Sequence, residues 1–252
     1  MARLYGLSGA AHIARSHVLI VGIGGVGSWI AEALARSGVG ELTLVDMDHI
    51  VESNINRQIH ALESTLGQAK VLAMKDRIAQ INSECIVHVV DDFVSPENWV
   101  ALVDNIISSS LVPLTAVVDA CDQVKAKVVM ADWAIRQKIY MVTLGAAGGK
   151  REAHRVEQAD LSQVTHDPLL SQLRYRLRKE KGAPKEGKKI GLRCVFSREN
   201  VAPPDASCLV EGDGSLNCHG YGSAVTVTAA FGLVAASLVV NFLADGLAKP
   251  KI

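Results

Sequence analysis

Gly22, Gly24 and Gly27 follow a short apolar run at the spacing Gly-x-Gly-x-x-Gly, with Gly25 as an extra glycine. In such a loop one glycine makes a tight turn, one lets the backbone approach a phosphate, and one lets a helix pack on a strand. The helix that follows aims free N–H groups at an anion. Asp46 stands about twenty residues on, where an acid holds ribose hydroxyls. In this context the pattern marks a nucleotide site without saying which nucleotide. Ser53-Asn54-Ile55-Asn56-Arg57-Gln58 and Gly67-Gln68-Ala69-Lys70 then depart from an ordinary dinucleotide site. Glycine loop and helix dipole largely satisfy a bridging pyrophosphate, whereas a free triphosphate carries more charge and needs cations. Arg57 offers a planar fork for phosphate oxygens and Lys70 a mobile point charge. Taken singly, each also reads as a plain surface cation. Asp122, at the end of Asp119-Ala120-Cys121-Asp122, is a candidate to hold magnesium, which takes one or two carboxylates together with phosphate and water. Asp119 or Asp122 equally suits the N-cap of the helix that follows.

The elements that must position these groups alternate. Residues 18–21 read as a buried parallel strand, too short for a helix and bounded at once by glycine. The pattern predicts helix 29–36, strand Glu41–Val45, a helix from about 67 to 80, strand Ile86–Val90 and helix 97–107. Strand 116–118, helix Val124–Gln137, strand 139–144 and a turn over 145–149 complete the series. This is an α/β chain with a doubly wound, Rossmann-like, mostly parallel sheet, and the acid at Asp122 lies at a strand's carboxyl end, where such sheets bind ligands. Residues 1–17 form a partly helical lead-in, in which spacing alone makes Arg3 a solvated terminal charge.

From Lys150 the doubly wound alternation stops. Residues 168–181 have helical spacing, with Leu169, Leu170, Leu173 and Leu177 on one side. The polar side and the next loop carry Arg174, Arg176, Arg178, Lys179, Lys181, Lys185, Lys188, Lys189 and Arg193 against only Glu180 and Glu186. Such a run is often a mere solvated face. Nine cations against two acids in twenty residues of a neutral chain point further, to a polyanion, and with Tyr175 as the one aromatic, to its backbone. Residues 202–222 are a loop carrying Cys208, Cys218 and His219, where Cys218 suits a nucleophile, a metal ligand or neither. Residues 224–244 are apolar over a length that fits a membrane span. Their many small residues, with no charged flank on the N-terminal side, favour a buried or subunit-interface helix, and membrane contact is the minor alternative.

At 252 residues the chain can bury a sizeable core. Lys plus Arg and Asp plus Glu both number 26, so no global field recruits nucleic acid or membrane, and such a partner needs a local patch. Five cysteines without a Cys-x-x-Cys pair argue against a disulfide scaffold and against a four-thiolate zinc site, and suit a reducing cytoplasm. The first residues lack the uninterrupted apolar core of a signal peptide.

VGIGGVGSW, Asp46-x-Asp48, SNINRQ, LGQAK and DACD, in this order and spacing, resemble the ubiquitin-activating-enzyme-like adenylyltransferases, which include the molybdopterin-synthase and thiamine-pathway activators. The resemblance covers residues 3–149 and implies ATP and magnesium on a Rossmann-like sheet, with AMP joined to a carboxylate. It places Gly22, Gly24, Gly25, Gly27 and Asp46 at the adenosine site, Asn54, Arg57 and Lys70 at the triphosphate and Asp122 at magnesium, with Asp48 and Gln58 also among the ATP-binding residues. Arg3 is similar to an N-terminal arginine that reaches the ATP of a partner subunit, which implies a homodimer. ARLYG, NRQIHAL, VVDDFVSPEN, the basic helix and loop, CVFS and CHGYGSAVTVTAAFG resemble, across nearly the whole chain, the bacterial tRNA threonylcarbamoyladenosine dehydratases. That family activates the threonyl carboxylate of a modified adenosine beside the anticodon and closes it into a ring with loss of water. Within it Cys218 matches a loop cysteine, and no zinc is expected.

The chemistry is coherent: adenylation gives a poor electrophile a good leaving group, and a tethered carbamoyl then attacks at high effective concentration. Arg3, Arg57, Lys70 and Asp122 form the expected catalytic set, and Arg174, Arg178, Lys185, Lys188 and Lys189 the tRNA contacts. His60, His166 and His219 stay equal as the general base. The expected organisation is a single adenylation domain over 1–252, with an ATP-binding core at 1–149 and a substrate-binding and dimerisation extension at 150–252. Activation of a ubiquitin-like or sulfur-carrier protein is the alternative, and sulfur-transfer proteins are an open class of partner. A nicotinamide oxidoreductase fits least, because SNINRQ and DACD have no use in hydride chemistry.

Overall fold

A short β-branched run packed on both sides begins the fold. In β1 (His17–Val21) Val18 and Ile20 point into one apolar layer, and Leu19 and Val21 into the other. Both faces of such a strand are dry, so after the buried His17 the run Val18–Val21 is continuously apolar and does not alternate. The structure, a computed structural model, describes residues 1–185, 187–203 and 221–246. Its further strands are β2 (Glu41–Val45), β3 (Ile86–Val90), β4 (Leu114–Asp119), β5 (Tyr140–Leu144), β6 (Val156–Asp160) and β7 (Arg193–Ser197). They make one sheet in the order β3-β2-β1-β4-β5-β7-β6, parallel except for the antiparallel pairing of β6 with β7.

Helices cover both faces: α1 (Ala2–Ala14), α2 (Gly27–Arg36), α3 (Lys70–Ile81), α4 (Trp99–Ser109), α5 (Val124–Gln137), α6 (Pro168–Glu180) and α7 (Val225–Ala244). One layer holds Ile30 and Leu34 of α2, Met74 and Ile78 of α3 and Phe231, Ala235 and Val239 of α7. The opposite layer holds Trp99 of α4, Met130 of α5 and Leu170, Leu173 and Leu177 of α6. Helix α6 starts where Pro168 fixes the first turn and the Asp167 carboxylate accepts the Leu170 N–H at 2.9 Å.

Three differences from the sequence reading have physical reasons. Helix α2 begins at Gly27, two residues earlier than expected, because the last glycine of the loop lies inside the helix. Two strands in the extension, β6 and β7, join the sheet where no strand was expected. Strand β6, Val-Glu-Gln-Ala-Asp, is a half-exposed edge strand and needs no apolar run, and the buried β7 is short and follows a basic loop. Neither Asp119 nor Asp122 caps α5: its N-cap residue is Gln123, without a side-chain cap.

Helix α7 has the length and mean hydropathy, 2.1, to cross a membrane, and half of it is buried inside the chain. It packs on α2, α1 and the sheet. Its small residues permit that approach: a Cβ at Gly232 would lie 2.8 Å from the Trp29 Cβ and from the Val26 carbonyl oxygen. At its far end the Tyr5 hydroxyl of α1 donates to Asn241 Oδ1 at 2.9 Å.

Candidate functional site

The connection order reverses at β1, whose neighbours are β2 on one side and β4 on the other. A crevice opens at such a point beyond the carboxyl ends of the strands. The loop after β1, the Asp46 segment after β2 and the 119–122 turn after β4 all meet there.

The glycine loop is built by close approach. Gly22 has φ +88°, and a Cβ on it would lie 2.9 Å from the Ala120 carbonyl, so the loop is in contact with the turn after β4. A Cβ at Gly27 would sit 1.7 Å from the Gly22 carbonyl oxygen, which ties the first turn of α2 to the loop. Gly24 faces open space among the described residues. Gly25, the extra glycine, makes room for Arg57: a Cβ there would come within 3.2 Å of Arg57 Cγ.

Asp46 braces the loop from the neighbouring strand. Its Oδ2 accepts the Ile23 N–H at 2.6 Å and its Oδ1 accepts the Asp48 N–H at 2.9 Å. Burial raises the Asp46 pKa above the ordinary carboxylate range, against the opposing effects of Lys70 and these two N–H donors. Asp48 is exposed and accepts from Lys70 Nζ at 2.6 Å, while the Lys70 side chain is only 8% exposed. Lys70 opens α3, and its own N–H donates to the Asp48 carbonyl at 2.9 Å.

The 53–58 segment crosses in front of α2. The Trp29 indole N–H donates to the Arg57 carbonyl at 2.9 Å, and Arg57 Nη1 donates to the Ser53 carbonyl at 2.5 Å and to Asn56 Oδ1 at 3.0 Å. Buried Asn54 accepts the Val51 N–H at 3.2 Å, and Gln58, also buried, donates its N–H to the Asn54 carbonyl at 3.0 Å. Asp122 is exposed in the turn after β4. Gly22, Gly25, Gly27, Asp46, Asp48, Arg57 and Lys70 are thus linked through the loop, Gly24 stays open among the described residues, and Asp122 follows β4 on the other side of β1.

Arg3 is elsewhere. It is exposed in the part of α1 before a kink at Gly6 (φ 72°), and α1 docks through Tyr5 and Gly9 on the carboxyl-terminal end of α7, whereas Thr228 near the other end of α7 lies beside the glycine loop. Thirteen residues separate Thr228 from Asn241, a span of about 20 Å along the helix.

The basic extension sorts into two groups. Arg174 Nη1 donates to the Leu161 and Val164 carbonyls at 3.0 and 2.8 Å, and Arg178 Nε to the Pro184 carbonyl at 3.1 Å. Lys185, Lys188 and Lys189 are exposed. Cys208, Cys218 and His219 lie outside the described residues. Burial pushes the thiols of Cys121 and Cys194 well up and that of Cys85 to about 11, so none of these three is a ready nucleophile. His60 is enclosed, with neither ring nitrogen partnered, and burial, Lys70 and Arg77 lower its pKa to about 4. His166 is exposed at φ 60°, with Nδ1 2.9 Å from Thr165 Oγ1.

Sequence reasoning missed Lys127, which is enclosed on α5 and paired with Asp119 at 3.1 Å. The available signal was a cation set among Ala126, Val128, Met130 and Ala131 on the buried side of α5.

The family model described as the ThiF family matches residues 1–251. The tRNA threonylcarbamoyladenosine dehydratase of Escherichia coli is 44% identical over 245 residues, covering 94% of this chain and 89% of its own. That of Haemophilus influenzae is 40% identical over 243 residues, with 96% and 90% covered. The crystal structure of the E. coli tRNA N6-threonylcarbamoyladenosine dehydratase in complex with ATP superposes with a TM-score of 0.84 at 43% identity, covering 96% of this chain and 91% of that one.

Proposed function

This chain belongs to the ThiF family, and on that footing we propose that it is an ATP-dependent tRNA threonylcarbamoyladenosine dehydratase. The observation that carries the reading is the extent of the match at high identity: 44% and 40% identity run past the nucleotide core through the basic extension, over 94% and 96% of the chain.

ATP lies with its phosphates over the open face at Gly24 and its ribose toward Asp46. The threonyl carboxylate attacks the α-phosphorus, pyrophosphate leaves, and an acyl adenylate forms. The carbamoyl group of the same nucleoside then attacks that acyl carbon, AMP departs, and a five-membered ring closes, so that the nucleoside has lost one water overall. Tethering supplies most of the advantage in the second step. Arg57 and Lys70 stabilise charge on the phosphates, an electrostatic contribution that grows as water is excluded.

Magnesium fits the residues present. Among the described residues no group of three or more His, Cys, Asp or Glu forms a cage, and a magnesium ion on phosphate oxygens needs no cage. Asp122 would supply the carboxylate, and the ion would neutralise phosphate charge.

The assembly we infer is a homodimer. Tyr5, two residues from Arg3, is bonded to Asn241, about 20 Å along α7 from the Thr228 that lies beside the glycine loop, which favours Arg3 acting on a partner's ATP. Exposed Lys185, Lys188 and Lys189 supply the phosphate contacts to tRNA, while Arg174 and Arg178 hold the helix and loop that present them. Work on tRNA, with Cys85, Cys121 and Cys194 as free thiols, fits a cytoplasmic enzyme.

The test is mass analysis of tRNA nucleosides after incubation with protein, ATP and magnesium. The expected product is threonylcarbamoyladenosine less one water, formed with AMP. ATP consumption that leaves this nucleoside unchanged would refute the assignment.

A further inference from the structure

Lys127 has an ammonium group that no solvent reaches, one turn into α5 and eight residues after Asp119. Its three N–H groups find three acceptors: Asp119 Oδ2 at 3.1 Å, Thr143 Oγ1 at 3.3 Å and the Leu144 carbonyl at 2.8 Å. The Thr143 hydroxyl donates to the same Asp119 Oδ2 at 2.6 Å. The other carboxylate oxygen, Oδ1, accepts the Cys121 N–H at 3.3 Å and the Cys121 thiol at 3.0 Å. One carboxylate therefore joins the turn that carries Asp122 to the end of β5, with Lys127 as the tie. On its outer side the same turn is held by the glycine loop: the Ala120 N–H donates to the Val21 carbonyl at 2.8 Å, and Gly22 packs against the Ala120 carbonyl.

Stability alone gives little reason for such a pair. Enclosing two charges costs several kcal/mol each, and a well-packed apolar pair does as well or better. What the pair adds is direction, since every donor and acceptor is used and the turn has one way to sit. We propose that Lys127 is a positioning residue, whose ammonium acts through Asp119 to fix the 120–122 turn and so the placement of the Asp122 carboxylate. This rests on the reading of Asp122 as the magnesium ligand.

Direct binding tests it, with manganese(II) as the probe in the presence of a non-hydrolysable ATP analogue and free ion read by electron paramagnetic resonance. The proteins are full-length wild type, Lys127→Met, the neutral pair Asp119→Asn with Lys127→Met, Asp122→Asn, and Asp122→Asn with Lys127→Met. Lys127→Met leaves an uncompensated carboxylate and is the variant at risk of not folding. The neutral pair leaves none and is checked by thermal unfolding. Both are expected to bind manganese about tenfold more weakly, the usual loss when a group behind a ligand is removed. In the Asp122→Asn background, Lys127→Met should change the affinity by less than about twofold, because the two act through one ligand. Wild-type manganese affinity in the neutral pair, with Asp122→Asn weakened, overturns the positioning role and leaves the magnesium reading standing. Full additivity does the same. Normal binding by Asp122→Asn overturns both.

Discussion

Gly24→Ala separates the ligand from the fold. Among the described residues, a Cβ on Gly24 meets no atom within 4 Å beyond its chain neighbours, and its φ is not in the left-handed region, so the methyl has room there. Replacing glycine also narrows the unfolded ensemble, which favours the folded state by about 0.4–1 kcal/mol. The unliganded variant should therefore melt at or slightly above the wild-type temperature. The open face is where phosphate oxygens would sit against backbone N–H groups, at donor–acceptor distances of about 2.9 Å. A methyl there forces the phosphates outward and costs one or two hydrogen bonds to a charged group, about 1.5–3 kcal/mol each. Even the lower figure predicts at least a tenfold loss of ATP affinity, since about 1.4 kcal/mol is a factor of ten. Calorimetric titration with a non-hydrolysable ATP analogue, beside thermal unfolding, measures both quantities. Gly27→Ala is the control with the opposite pattern, because its methyl would meet the Gly22 carbonyl oxygen at 1.7 Å and must damage the fold itself. An alanine at 24 that binds the analogue within about twofold of wild type would refute the phosphate reading of the loop.

His60→Leu should flatten the acid limb of the stability curve. The His60 pKa is about 4 in the folded chain against an ordinary 6.5, so unfolding takes up a proton as pH falls from 6.5 to 4, and stability is lost over that window. Denaturant unfolding across it should show a slope shallower by about one proton, roughly 1.4 kcal/mol per pH unit, with neutral-pH stability unchanged or higher; an unaltered slope counts against the enclosed, neutral imidazole. Neutralising Lys185, Lys188 and Lys189 should weaken tRNA binding and reduce the salt slope by about 2–3, at about 0.7–0.9 per lost phosphate contact, without touching ATP affinity. A slope that stays put returns those lysines to the solvated surface. Mixing inactive Arg3→Ala with inactive Lys70→Ala subunits should restore about a quarter of wild-type activity, since half of randomly mixed dimers carry one intact site of two. No recovery after verified subunit exchange rules out action across the interface.

The glycine loop, the strand before it and the acid after the next strand were legible because each is a local matter of residue type and spacing. So was the amphipathic face of α6, whose four buried leucines repeat at helical period. The tertiary structure alone decided four other things. It turned Asp119 away from the N-cap position and into the interior, because a lysine on the next helix and a threonine on the next strand meet there. It gave the extra glycine at 25 a reason, the aliphatic stem of an arginine thirty-two residues later in the chain. It brought β6 and β7 into the sheet, where a half-exposed edge strand gains its place from a partner's hydrogen bonds more than from its own side chains. It docked α1, the helix that carries Arg3, on the end of α7 far from the loop. Periodicity reports which face of an element is dry; which residue stands opposite depends on contacts between segments distant in the chain, and no window of sequence contains both partners.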